Sequence, residues 1–457
     1  MSMRRILPGA FVVMVVAAFS CVIGAPAAHA DGSIFVINSL GDAPDVHTSD
    51  GVCQTASGDC TLRAAIQQAD ADAPGAPDEI DFGVPGEITL ESALPDLTRS
   101  MFITGTTSKN TISRDVNASA FRIFNITAGS VGLENLIMRF GNVPDGCGGG
   151  IAVVSFGTLQ LTGSTVTLNS AGLGGAGICA NGATTITRST ISLNFADTSL
   201  GGGVYTQSAV DLTDTTLIGN RARDGGGVFN LDGTVTATRA TFNANVALGG
   251  GAFGAGGGGG AVFNYLSSSA AFLIDSTVVA NTATGLRGGG IENFNAHLSV
   301  VNTTIAGNSA ATGGGVDDQL SLVTYPNTFL NALIAHNTAT VASPDLNSGA
   351  TSAGNNLIGD GTGAPGFVNG TNSDKVGTAV NPIDAKLETD TDGKVVVKDN
   401  GGPTKTVALL SGSPAIDAGS DAVLGSPYSL TTDQRGAGHA RKQGTHVDIG
   451  AFEHAPK

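Results

Sequence analysis

The chain has 457 residues, 67 of them Gly and 16 Pro, with 41% hydrophobic and 5% aromatic residues and no Trp. This much apolar material excludes an unfolded polyelectrolyte, so the glycines belong to fixed backbone positions in a packed chain. A formal net charge of −16 repels phosphate backbones and anionic membranes and excludes nucleic acid as a partner, the more so because only scattered arginines lie between Lys109 and Lys375.

Residues 1–30 read as a secretory signal. Arg4 and Arg5 precede an apolar stretch from Phe11 to Ile23, and Pro26 and Ala28-His29-Ala30 form an A-x-A cleavage site before Asp31. The apolar stretch is short for a membrane anchor, and no later segment is long and apolar enough to serve as a stable transmembrane anchor. Cleavage removes Cys21 and leaves four cysteines in an oxidising compartment. Cys53 and Cys60, close together in CQTASGDC, are the preferred disulfide. Cys147 and Cys179 fall in neighbouring repeats at non-equivalent positions, and their pairing stays open. Neither pair has the C-x-x-C spacing or the His company of a zinc site.

Residues 31–75 read as an N-terminal cap. A short strand, Ile34 to Ile37, is followed by the cysteine loop and by a helix from Leu62 that Thr61 can cap. Leu62, Ala65, Ile66 and Ala69 share one face, suited to covering the apolar end of whatever follows.

Residues 76–345 hold a repeat of about 25 residues. Each unit has a short β-rich run, Ser/Thr-Thr-apolar, two residues, Asn, a small polar stretch, a glycine cluster, and Val or Ile opening a new run. VDLTDTTLIGNRARDGGGV and LSVVNTTIAGNSAATGGGV are two instances. The anchoring residues are Asn169, Asn194, Asn220, Asn245, Asn281, Asn308 and Asn337. Short β-branched runs without helical periodicity suit three strands and three turns per unit, stacked in parallel as an all-β solenoid: a parallel β-helix with coils about 4.8 Å apart. In such a stack the asparagines pass amide hydrogen bonds from coil to coil, and the glycines supply positive φ or close approach.

Aligned on the apolar residue after each glycine cluster, the next position reads Cys179, Tyr205, Phe229, Phe263, Glu292 and Asp317. Alternation points this column outward, as an aromatic strip running into two carboxylates on adjacent coils. The following column, Asn230, Asn264, Asn293 and Asp318, points inward as a second amide ladder.

Three motifs carry a resemblance. Cys60-Thr61-Leu62-Arg63-Ala64-Ala65-Ile66 resembles the C-S-L-R-E-A motif that opens bacterial exported β-helix proteins. Asn400-Gly401-Gly402-Pro403-Thr404, Gly412 to Gly419 (GSPAIDAG), Thr432 to Gly436 (TDQRG) and Asp448 to Glu453 (DIGAFE) are similar to a choice-of-anchor domain of the Q type. The repeats between resemble those of polymorphic outer membrane proteins, with Phe242-Asn243-Ala244-Asn245 a literal match to F-x-x-N. The resemblance implies a right-handed parallel β-helix, exported and displayed at the surface, with residues 346–457 as further coils and a closing domain. The terminal aromatic and amphipathic strands of an outer-membrane barrel are missing from the sequence, so release is as compatible as anchoring.

The chemistry is sparse. Glu292 and Asp317, with Arg287 nearby, are the candidate catalytic group, because a hydrolase needs two carboxylates flanking a bond and a lyase needs carboxylates and a cationic base. Tyr205, Phe229 and Phe263, with that acid pair, are the candidate ligand-binding strip, since aromatic faces stack on sugar rings. Asp433, Arg435, Asp448 and Glu453, with Asp417, read as an ion-pair network centred on Arg435 that closes the last coil. A functional reading of these acids would be a calcium site, since hard oxygen ligands suit that ion, although no cofactor is expected. The expected function is that of an exported, non-catalytic, adhesin-like surface or secreted protein that binds a polysaccharide or cell-surface ligand. The alternative is a polysaccharide lyase or glycoside hydrolase of pectin-lyase-like fold.

Overall fold

A computed structural model describes residues 32–48, 50–72, 75–249, 257–319 and 327–455. The signal sequence therefore lies outside the described residues. The chain winds as a parallel β-helix with four sheets of 11, 12, 8 and 9 strands, taken in the order in which each coil visits them. One coil runs through Thr184–Thr187, Thr190–Ser192, Phe195–Leu200 and Val204–Thr206, and every strand pairs in parallel with its counterpart one coil on. The expected three strands per coil are thus four. The extra one follows the ladder asparagine and is in several coils only two residues long, as at Ser170–Ala171, too short to leave an alternating pattern.

Three turns per coil use left-handed backbone. In the same coil these are Arg188 (φ 48°), Leu193 (φ 51°) and Gly201 (φ 65°). For a residue with a side chain this costs roughly 1–2 kcal/mol, and such strain persists only where the surroundings over-determine it. Here they do, because the residue after each second turn is a ladder asparagine. Asn194 Nδ2 donates to Asn220 Oδ1 at 2.9 Å, and Asn194 N donates to the same oxygen at 3.1 Å. Asn220 repeats this on Asn245 at 3.0 Å, and the relay runs unbroken from Asn169 to Asn337. The second ladder also forms: Asn230 donates to Asn264, Asn264 to Asn293, and Asn293 to Asp318, at 2.7–2.8 Å.

A third, hydroxyl-based file occupies the first turn. Leu136 N donates to Ser164 Oγ and Ser164 N to Ser189 Oγ, and farther on Asn356 N donates to Asp374 Oδ1. All three files end toward the C-terminus on a carboxylate: Asp345, Asp318 and Asp374. Each amide donates forward, so the last member need only accept, and a carboxyl oxygen does that.

The glycine of the third turn is fixed by contact as well as by φ. A Cβ on Gly225 (φ 65°) would stand 2.6 Å from Val228 O and 2.8 Å from Phe229 Cβ. This turn folds the third strand back against the outer side of the fourth.

Both ends of the barrel are closed. The helix Leu62–Ala71 is capped by Thr61, whose Oγ1 accepts from Ala64 N, and Leu62, Ala65, Ile66 and Ala69 join the central core. Cys53–Cys60 bridges the loop before it, and Cys147–Cys179 is also a disulfide. At the far end Ala350, Ala364 and Phe367 enter the same core, with Phe367 edge-on to Phe329 at 5.5 Å.

The tail departs from expectation. Beyond the last paired strand, Lys375–Val376, the chain turns back and lies along the outside of the second sheet. Ala385, Leu387, Val395, Val407, Leu409 and Ile449 cover Val279, Ala306, Leu333 and Leu357. Arg435 does pair with Asp433 at 2.6 Å and donates to Glu453 O. The anchor to the barrel, however, is Arg441, fully buried and bonded to Asp275 (3.1 Å) and Glu453 (2.9 Å). The Asp448 carboxylate accepts from the backbone of Asp417 and His454, while its carbonyl accepts from Arg441 at 3.2 Å. Arg435 is thus one of two centres, and the network fastens the tail to the barrel's side while residues 349–370 close its end.

Replacing Asn220 by Ala strands the N–H donors of Asn194 in the interior and is expected to cost about 3 kcal/mol. Asn220→Asp is expected to destabilise as well, because a carboxylate cannot pass a donor on to Asn245. Urea unfolding of both variants checks this.

Candidate functional site

The outward column lies where the glycine turn brings the third and fourth sheets together. Val204, Val228, Val262, Ile291 and Val316 enter the central core, and the residue after each does not, so the column points out of the barrel as alternation requires. Apart from the half-buried Tyr205, it does not reach solvent. Phe229 is 0% exposed, Phe263 2%, Glu292 1% and Asp317 0%. The chain between the third strand and the glycine turn lies over it, with Cys147, Gly174, Leu200, Asp224, Gly258, Arg287 and Thr312 at the position before each turn, some closing a strand and others bridged singly beyond one.

The aromatic strip is consequently packing. Phe229 stacks with Tyr205 at 6.1 Å and meets Phe263 edge-on at 5.0 Å. Phe229 and Phe263 are therefore corrected from ligand contacts to filling of the corner. The aromatic surface left at its rim is half-buried: Tyr205, Tyr265 and Phe294, the last two stacked at 5.6 Å. Tyr265 and Phe294 lie two positions beyond the aligned column, on the same side of the strand, and the i+2 spacing was the signal that could have found them.

The three candidate catalytic residues do come together. Glu292 and Asp317 are paired on adjacent rungs, and Arg287 Nη1 lies 3.5 Å from Asp317 Oδ2. Arg287 stands to Asp317 as Cys147 stands to Cys179: the residue before one glycine turn against the column residue of the next coil. The ion pair and the disulfide are two versions of one cross-corner link.

Asn347 donates to Asp317 Oδ1 at 3.2 Å. Gln319 turns its amide oxygen to the Arg287 guanidinium, at 2.6 and 3.2 Å. Glu292 Oε2 has no hydrogen-bond partner among the described residues. Burial, and then Asp317, pushes the Glu292 carboxyl well above its usual range. Burial raises Asp317 too, against the pull of Arg287. Asp224, also raised by burial, sits nearby with Arg223 at 3.2 Å.

The group is enclosed among the described residues. Acid catalysis requires a carboxyl within hydrogen-bond reach of substrate, and both carboxylates are enclosed. Among the described residues, no three His, Cys, Asp or Glu side chains converge to hold a metal ion, and no helix is long and apolar enough to cross a membrane.

The coils, ladders and corner define a parallel β-helix protein. No protein-family model matches the chain, and no curated protein matches it. Among solved structures it is similar to one titled "Crystal structure of pectate lyase Pel9A", with a TM-score of 0.50, 16% identity, and coverage of 93% of this chain and 97% of that one. At that identity the likeness concerns the fold.

Phe263→Ala is expected to lower stability by about 3–5 kcal/mol through the cavity it leaves, as a packing residue does. Thermal unfolding with ligand-free protein checks it.

Proposed function

We propose that the chain is exported and acts as a non-catalytic, adhesin-like β-helix, secreted or retained at the surface, that binds glycan or another surface partner. The observation that carries the reading is the enclosure of Glu292 and Asp317 at 1% and 0% exposure. Of the one carboxylate pair that the sequence offered for chemistry, Asp317 is taken up by Arg287 across the corner. The rim aromatics Tyr205, Tyr265 and Phe294 are the proposed glycan contacts, since a half-exposed ring offers a face for stacking. The resemblance of residues 60–66 and 400–453 to the C-S-L-R-E-A motif and to a choice-of-anchor domain supports display at a surface. Disulfides at Cys53–Cys60 and Cys147–Cys179 fit an oxidising compartment.

Two measurements test this. Mature protein recovered after export is expected to begin at Asp31 by N-terminal sequencing. Purified residues 31–457, incubated with acidic and neutral polysaccharides with and without Ca²⁺, are expected to release no oligosaccharide detectable by mass spectrometry. Unsaturated products would assign the chain to the lyases, and saturated ones to the hydrolases.

A further inference from the structure

The corner holds more acid than base. Facing Glu292 are Asp317 and Asp318 from the following coil, Arg287 from its own turn and Asp224 from an earlier coil, while the rung before it contributes the uncharged Phe263. The two cations are committed, Arg223 to Asp224 and Arg287 to Asp317. Gln319 decides what is left for Glu292. Its amide meets its neighbours only with the oxygen on the Arg287 side. The amide atom on that side is also the one 3.5 Å from Glu292 Oε1. At 3.5 Å that contact is too long for a carboxyl hydrogen bond, so Glu292, 1% exposed and on the rung beside Asp317, has no cation of its own, and its Oε2 meets no hydrogen-bond partner among the described residues.

We propose that Glu292 is held as a neutral carboxylic acid beside Asp317, making this corner a proton-dependent latch between two neighbouring coils. The proton spares the site a second buried negative charge beside Asp317. Losing it leaves two buried negative charges on adjacent rungs, and their repulsion loosens the coils there. The direction with pH follows. A carboxyl whose folded value is raised stabilises the fold fully below its unfolded value near pH 4, and that stabilisation is lost as pH rises through the folded value. The latch is therefore closed in acid and released in alkali, whether or not the rim binds glycan.

The test compares the melting temperature of the full chain at about pH 5 and about pH 9 with that of Glu292→Gln, which is uncharged at either pH. The wild type is expected to lose several degrees between the two, and Glu292→Gln to lose less than half as much. Asp275, Asp345 and Glu453, also raised by burial, titrate equally in both proteins and cancel in the comparison. An unchanged pH dependence in Glu292→Gln would overturn the latch. A second readout needs no variant. Infrared spectra of wild-type protein with isotope-labelled Glu are expected to show a protonated carboxyl stretch at neutral pH, and its absence would equally overturn the proposal.

Discussion

Everything in this molecule hangs on files of side chains that hand a hydrogen bond from one coil to the next. A solenoid turn leaves backbone N–H groups pointing along the axis, where no strand partner waits, and an interior N–H without an acceptor costs about 1–3 kcal/mol. Asparagine answers this by offering its oxygen backward and its amide forward, so that one residue type serves every rung. The files have a polarity in consequence. They consume donors in one direction and stop on a group that need only accept, which explains Asp345, Asp318 and Asp374 at their ends. The same bonds hold non-glycine residues such as Leu193 and Ala244 in left-handed backbone just before the asparagines.

The glycine turn does a different job. By folding the third strand onto the fourth it converts what would be an outer face into a second, narrow interior. That interior is filled along the axis by a disulfide, then aromatic rings, then an ion pair with its surplus acid. Cys147–Cys179 and Arg287–Asp317 bridge it in the same geometry, one covalently and one by charge.

How much of this was legible depended on what repeats. The asparagines, the glycines and the inward Asn230 column announce themselves because the same residue returns at the same phase, and the physics of a parallel stack gives each a task. The capping helix was legible from Thr61 and one apolar face. Alternation correctly gave the outward sense of Phe229 and Glu292, yet alternation says which side of a strand faces the barrel and nothing about what lies over the other side. The covering element is the end of a strand as short as two residues and the chain just beyond it, beneath the reach of periodicity, so the aromatic strip looked like a binding surface. Arg441 was missed for another reason. It belongs to no repeat, and its partner Asp275 is 166 residues away.

The tail has a mechanical consequence. An array of coils that touch only their neighbours stores its stability locally, and each end can peel away without the middle noticing. Residues 378–455 change that arithmetic. Gln434 reaches Thr241 and Thr277, Arg441 holds Asp275, the backbone N–H of Ala451 reaches Thr304, and Ser420 exchanges hydrogen bonds with Asn331. With Asn355 Nδ2 donating to Ala418 O as well, a single segment thus grips five successive coils from outside, so none of them can swing open without tearing the others' attachments. The strap turns a stack of separable rings into one cooperative beam over that stretch, and leaves the coils before Thr241 to behave as a plain stack.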